Sequence, residues 1–187
     1  MKHSPGKDKT DNAQWIRAAL ERFEGPLTMY AVKLVGDVDR ARDIVQDTFL
    51  KLWTADRAGV DGHLAQWLYR VCRNRALDVC RKEGRMTTLQ NQHIESREQV
   101  QPEAGDASRE ESGGVMAALQ TLSDKQQEVL RLKFQGNLSY QEIANVMDIT
   151  ANHVGVLIHT ALKTIRERLA CSDMKSASSQ TSARSSP

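Results

Sequence analysis

Apolar residues recur in steps of three and four through most of this chain. Between residues 13 and 35, Ile16, Leu20, Phe23, Leu27, Tyr30 and Leu34 alternate steps of four and three, the spacing of one helix face. Gly25-Pro26 interrupts the run, and proline should kink the helix or begin a second one there. Gly36-Asp37 ends the segment, with Asp37 or Asp39 placed to cap the helix that follows. That helix, DVDRARDIVQDTFLKLW, is expected to bury Ala41, Val45, Thr48 and Leu52 as one stripe and to carry Asp43, Gln46 and Asp47 on its other face. Ala55 to Gly62 read as a loop. The next helix, HLAQWLYRVCRNRALDVCRK, turns Leu68, Val71, Cys72 and Val79 inward and Arg70, Arg73, Arg75, Arg81 and Lys82 outward. One helix suits a protein partner and its neighbour suits a polyanion.

From Met86 to Gly114 the apolar period vanishes. Six acids stand there against two arginines, with Pro102 and three glycines, the composition of a flexible linker. Its acidity either keeps it solvated or lets it occupy a basic surface until DNA arrives. Beyond it, Ser123 with Gln126 and Ser139 with Glu142 have capping-box spacing, so helices should start near Asp124 and Tyr140, separated by a break at Gly136-Asn137. A longer helix from about Thr150 to Leu169 buries Val154, Leu157, Ile158, Ala161 and Ile165. With a tight turn at Asp148 to Thr150, this is a helix-turn-helix. The last sixteen residues, seven of them serine, read as a disordered tail, either solubilising or a regulatory extension. The fold class is therefore all-α. It comprises a disordered N-terminus (1–12), a helical domain (13–85), a flexible acidic linker (86–114), a helix-turn-helix domain (115–170) and a disordered tail (171–187).

Composition bounds the function. At 187 residues, 40% hydrophobic and 27% charged, the chain makes one or two small units with modest cores. No apolar run approaches the roughly 20 residues that span a bilayer, and no hydrophobic stretch follows the basic N-terminus, so a cytosolic protein without membrane insertion is expected. The net charge of +2 says little about nucleic acid; the placement of the charges says more. Cys72, Cys80 and Cys171 form neither a metal set nor a disulfide framework, since helical positions eight apart are separated by about 12 Å. His153 and His159 have the wrong spacing to share a metal, and neither HExxH nor CxxC occurs. No metal or cofactor is expected.

The chemistry lies in the two basic or groove-sized helices. In the helix-turn-helix, the helix after the turn would enter a major groove with Asn152, His153, Gly155, Val156, His159, Thr160 and Lys163 outward, and with Arg166 and Arg168 on phosphates. That set is poor in arginine, so a second DNA contact is needed. Residues 64 to 85 supply it, with six positive charges against Asp78 and Glu83. Asn74 shares a face with Arg70 and Arg81 and can read a base edge. Trp67 and Tyr69 offer aromatic surfaces for unstacked bases, although Trp67 also fits a core position.

These residues carry a family resemblance. GDVDRARDIVQDTFLKLW, WLYRVCRNRALDVCRK and LSYQEIANVMDIT, in that order and split by an acidic linker, resemble the extracytoplasmic-function sigma factors, which have only regions 2 and 4 of the sigma family. The resemblance spans about residues 13 to 170. It implies that Asp43, Gln46 and Asp47, with Ile44, Phe49 and Trp53 nearby, dock on the clamp helices of the largest subunit of bacterial RNA polymerase core. It implies that the loop around Gly59, Asp61, Gly62 and His63, with Asn74 and the basic residues Arg70, Arg73, Arg81 and Lys82, captures a flipped base of the minus-ten element of promoter DNA. Helix 150 to 169 would read the minus-thirty-five element. Family members often begin that helix with a GTVxSR-like segment where this chain has NHVGVL. The residues expected to read it here are Asn152, His153 and Val156, with His159 and Lys163 on backbone or flanking positions.

The resemblance implies a non-enzymatic role, in which polymerase core supplies catalysis and this chain supplies promoter choice and traps the opened strand. It also implies an anti-sigma factor as partner. Three other readings stand beside it. A free-standing helix-turn-helix regulator explains residues 115 to 170 but leaves the acidic face and the arginine helix without a purpose. An enzyme would need paired carboxylates with a metal, or a nucleophile with a base, at usable spacing. A protein that only sequesters polymerase would bind core without directing initiation.

Overall fold

A computed structural model describes the backbone of residues 5–89 and 109–182 and the side chains of residues 12–82 and 115–170. Every element in it is helical. Helix α1 (Pro5–Val35), α2 (Val38–Thr54), α3 (Arg57–Val60), a 3-10 turn (Asp61–His63) and α4 (Leu64–Leu89) make the first unit; α5 (Arg109–Gln120), α6 (Asp124–Phe134), α7 (Tyr140–Met147) and α8 (Ala151–Ser182) make the second.

Helix α1 differs from its expectation at both landmarks. It begins at Pro5, inside the segment expected to be disordered, and it runs straight through Pro26. Proline removes one backbone hydrogen bond there, but Phe23, Leu27, Tyr30 and Ala31 are buried around it, and their packing holds the helix together across the gap. Gly36 then adopts a left-handed φ of 73° and donates its N–H to Val32 O at 2.8 Å, which closes the helix. Asp37 rather than Asp39 caps α2, accepting from Arg40 N at 2.8 Å. The loop expected at 55 to 62 is itself helical, because Asp56 caps a single turn at Ala58 N.

Both capping boxes are present, at Ser123 with Gln126 and at Ser139 with Glu142, each contributing on the order of 1 kcal/mol. The helix-turn-helix turn closes on Asp148, left-handed at φ 57°, and Thr150 Oγ1 accepts from His153 N to start α8. Helices α4 and α8 extend to Leu89 and Ser182, and α5 starts at Arg109, so the expected linker and tail are helical at their near ends. Residues 1–4, 90–108 and 183–187 of the expected disordered segments lie outside the described residues.

The sequence pattern does not predict how the units meet. Helices α1, α2 and α4 pack on one another, α5, α6 and α7 pack on α8, and α7 lies along α4. Leu27, Leu52 and Leu68 of the first unit and Leu132, Ile143 and Val154 of the second belong to one continuous buried cluster. Its polar centre is Glu128, buried at 7% exposure. Glu128 Oε1 accepts from Tyr30 Oη at 2.7 Å and from Arg73 Nε at 2.8 Å. Tyr30 meets Tyr69 edge to face with ring centroids 5.2 Å apart. Burial, then the negative charge of Glu128 and its hydrogen bond, push the Tyr30 phenol well above its ordinary value. Burial opposes the charge on Arg73, but the hydrogen bond and charge of Glu128 outweigh it and leave the guanidinium pKa raised.

Candidate protein and nucleic-acid interfaces

Helix α2 presents the first candidate surface. Ala41, Val45, Thr48 and Leu52 are buried as the stripe requires. Asp43 and Gln46 are exposed and Asp47 is half-buried. Trp53 stands 59% exposed three residues from Leu50 at 60%, and Leu50 lies among Asp47, Lys51, Arg75 and Asp78, so this is an apolar pair among charges of both signs, suited to a protein partner. Leu50 was not expected in this surface, yet its spacing of i−3 from Trp53 and i+4 from Gln46 was legible. Ile44 and Phe49, expected beside this surface, lie instead in the core at 2% and 8% exposure. Helix α2 packs against both α1 and α4, so its buried face is wider than one stripe, and these two support the surface from beneath.

The second surface joins the turn before α4 to α4 itself. Gly59, Asp61, Gly62 and His63 are exposed together at one end of the first unit. Trp15 on α1 holds this turn, donating its indole N–H to Asp61 Oδ1 at 2.8 Å, while the Arg57 guanidinium lies 5.3 Å from the Trp15 ring centroid. Sequence reasoning missed Trp15, although an indole one residue off the apolar stripe was the available signal. On α4, Arg70, Asn74, Arg81 and Lys82 are exposed, with Arg81 paired to Asp78 at 2.9 Å.

Three residues expected on the outer surface of α4 lie elsewhere. Arg73 is enclosed against Glu128. Arg75 pairs with Asp47 on α2 at 2.8 Å. Tyr69, expected to offer a ring to bases, is 1% exposed. The second unit covers Tyr69 and Arg73, which no local pattern records. Trp67 is half-buried against the core.

The third surface is α8. Val154, Ile158 and Ala161 are buried, and Leu157 and Ile165 are half-buried, while Asn152, His153, Val156, His159 and Lys163 are turned to the opposite side. Thr160 is also outward, but its hydroxyl is engaged by Gln126 Nε2 at 3.1 Å. Gly155 lies against the Tyr140 ring, so α7 supports the start of the helix where bases would be read. Among the described residues no helix is long and apolar enough to cross a membrane, and no group of three or more His, Cys, Asp or Glu is gathered for a metal.

Residues 19–86 match the family model described as Sigma-70 region 2, and residues 118–167 match Sigma-70, region 4. The chain is 28% identical over 162 residues to the ECF RNA polymerase sigma factor SigW of Bacillus subtilis, covering 79% of this chain and 84% of that one. It is 28% identical over 160 residues to SigL of Mycobacterium tuberculosis, covering 82% and 88%. The chain belongs to the extracytoplasmic-function sigma factors. Among solved structures, this sigma factor resembles RpoE from Bartonella quintana in complex with the anti-sigma factor NepR, with TM-score 0.59, 25% identity and coverage of 88% of this chain and 98% of that one. CnrH in complex with the cytosolic domain of CnrY shares the fold at TM-score 0.56 and 21% identity, over 89% and 94%. The first unit is thus region 2 and the second region 4. A free-standing helix-turn-helix regulator would leave the region 2 match unexplained.

Proposed function

We propose that this sigma factor docks on RNA polymerase core through Asp43, Gln46, Asp47, Leu50 and Trp53, and directs it to promoters through two separate DNA contacts. The observation that carries this reading is the display of an acidic-aromatic face on α2 and of arginine and asparagine on the neighbouring α4. Polymerase and DNA are thereby engaged from one small domain.

The turn at Gly59, Asp61, Gly62 and His63, with Asn74, receives a base flipped from the minus-ten element. Arg70, Arg81 and Lys82 hold its phosphates. Opening each base-pair step costs about 1.4 kcal/mol, and stacking a captured base returns roughly 1 to 3 kcal/mol, so capture offsets melting on the right scale. Helix α8 enters the major groove of the minus-thirty-five element with Asn152, His153 and Val156 on bases and His159 and Lys163 on the flanks. Two weak contacts, aligned only on polymerase, keep promoter binding dependent on docking. An anti-sigma factor is the natural inhibitor, since the sigma factor RpoE, which this chain resembles, is held in a complex of that kind. Its place of work is the cytosol, where polymerase and promoters are.

The test adds the purified chain to sigma-free bacterial polymerase core and sequences transcripts from a pool of promoter fragments, beside an Asp43→Ala, Gln46→Ala, Trp53→Ala variant. Initiation at a shared motif that disappears with the variant is expected. Tight binding to duplex DNA without polymerase, and no transcripts, would sink the reading.

A further inference from the structure

The junction between regions 2 and 4 uses side chains that a DNA strand lying along α4 would also meet. Gln66, Tyr69 and Arg73 follow one another at helical spacing, and all three point into region 4. Gln66 Oε1 accepts from Asn145 Nδ2 at 3.4 Å. The Tyr69 ring lies 3.1 Å from where a Cβ on Gly136 would sit. Arg73 donates to Glu128, and its side chain keeps 17% exposure. Arg70 and Asn74, one step round the helix, stay exposed. Closure therefore hides one row of α4 and leaves the next open.

We propose that Glu128 is an internal stand-in for the DNA strand, clasping region 4 over α4 through Arg73 and Tyr30 while the factor is free, and yielding Arg73 and Tyr69 to the strand when the regions part. This rests on the minus-ten reading above. A carboxylate and a phosphate present the same kind of oxygen to a guanidinium, and the enclosed Arg73 can serve only one of them. The coupling runs both ways, because a strand that takes Arg73 leaves Glu128 buried without its counter-charge, and that favours separation.

The clasp is made to release. The Tyr69 hydroxyl is buried with no hydrogen-bond partner, so closing strips it of water and opening restores it. The Gln66–Asn145 bond is at the long end of the useful range. Glu128 supplies the main polar grip, with Tyr30 from α1 as its second donor.

The test uses the full chain and its Glu128→Ala, Tyr30→Phe and Arg73→Ala variants. Radius of gyration is read by small-angle scattering, and affinity by anisotropy of a fluorescein-labelled, random-sequence single-stranded DNA pool. Glu128→Ala is expected to expand and to bind about ten-fold more tightly, since apparent affinity scales with the open fraction. Tyr30→Phe should shift both readouts the same way by less. Arg73→Ala should expand without the gain in binding, because the guanidinium that opening would offer to the strand is gone. A Glu128→Ala chain that stays compact, or that expands and binds no better, overturns the proposal. If that variant loses helicity by circular dichroism, Tyr30→Phe decides, and no gain in binding there is equally fatal. Adding Arg70→Ala and Asn74→Ala separates the two levels: lost strand binding with no gain from Glu128→Ala removes the clasp alone, whereas unaffected strand binding removes the minus-ten reading.

Discussion

Arg75 on the basic helix α4 donates its Nε–H to Asp47 on the acidic face of α2 at 2.8 Å. The pair ties α2 to α4 and holds Asp47 in place beside Leu50 and Lys51. With the side chains 36% and 41% exposed, the pair contributes at most about 1 kcal/mol to stability. Asp47→Ala should leave the urea midpoint nearly unchanged and weaken binding to polymerase core. A midpoint that falls steeply instead would make Asp47 a structural residue.

Phe49 lies in the core and Trp53 in solvent, four residues apart on α2. Trp53→Ala removes an exposed aromatic and should lower core affinity by roughly 30-fold, the scale of an interface hot spot, with little loss of stability. Phe49→Ala opens the core and should destabilise by about 3 to 5 kcal/mol. Parallel measurement of core affinity and urea midpoint separates the two, and equal behaviour of the variants would refute the assignment.

Trp15 lies on α1, outside the turn proposed to take the base, but its indole N–H fixes Asp61 in that turn. Trp15→Phe keeps an aromatic ring and deletes the donor. Promoter-library transcription should show relaxed base preference at the minus-ten element and unchanged preference at the minus-thirty-five element. Changes at both would point to a general loss of structure.

On α8, Asn152 and His153 are exposed ahead of the buried Val154. Replacing both with alanine should alter preference among upstream sequences by about 1 to 3 kcal/mol for each base no longer read, and leave minus-ten preference intact. Selection from a randomised upstream library measures it, and an unaltered preference would move base reading to other residues.

Buried protons give the chain an alkaline limit. Burial pushes the Cys72 thiol from an ordinary 9 up to about 12 and the Tyr69 phenol from 10 up to about 12. Both folded values lie above the unfolded ones, so the folded state holds these protons more tightly. Their stabilisation is complete below pH 9 and is lost as pH rises from 9 to 12, each group giving up about 1.4 kcal/mol per pH unit between its unfolded and folded values. Urea midpoints across that range should fall, and Cys72→Ala should flatten the fall; an identical slope in the variant would remove the thiol from the explanation.

Sequence reasoning succeeded where the cause was local. Ser139 and Glu142 satisfy each other's backbone within one turn, so their spacing alone sets the start of α7. The outward row of α8 followed in the same way from its buried row. It failed where a distant element decides the outcome. Pro26 looks like a break until the packing around it is known. Ile44 and Phe49 look available until α2 is seen to have two neighbours. Glu128 reads as an ordinary helix acid, and Arg73 as an ordinary phosphate ligand. Only the approach of α6 to α1 and α4, distant from it along the chain, pairs them.

Leu50 and Trp53 stand together in solvent on a factor that has yet to meet its polymerase. Two such patches on separate copies bury each other readily, because apolar area leaves water whichever surface covers it. The patch proposed to dock polymerase also caps how much of the factor a cell can hold unaccompanied. Overproduced without core or inhibitor, the chain should self-associate through α2 and draw on the cell's chaperones, so its safe abundance is set by how many partners are there to shield that helix.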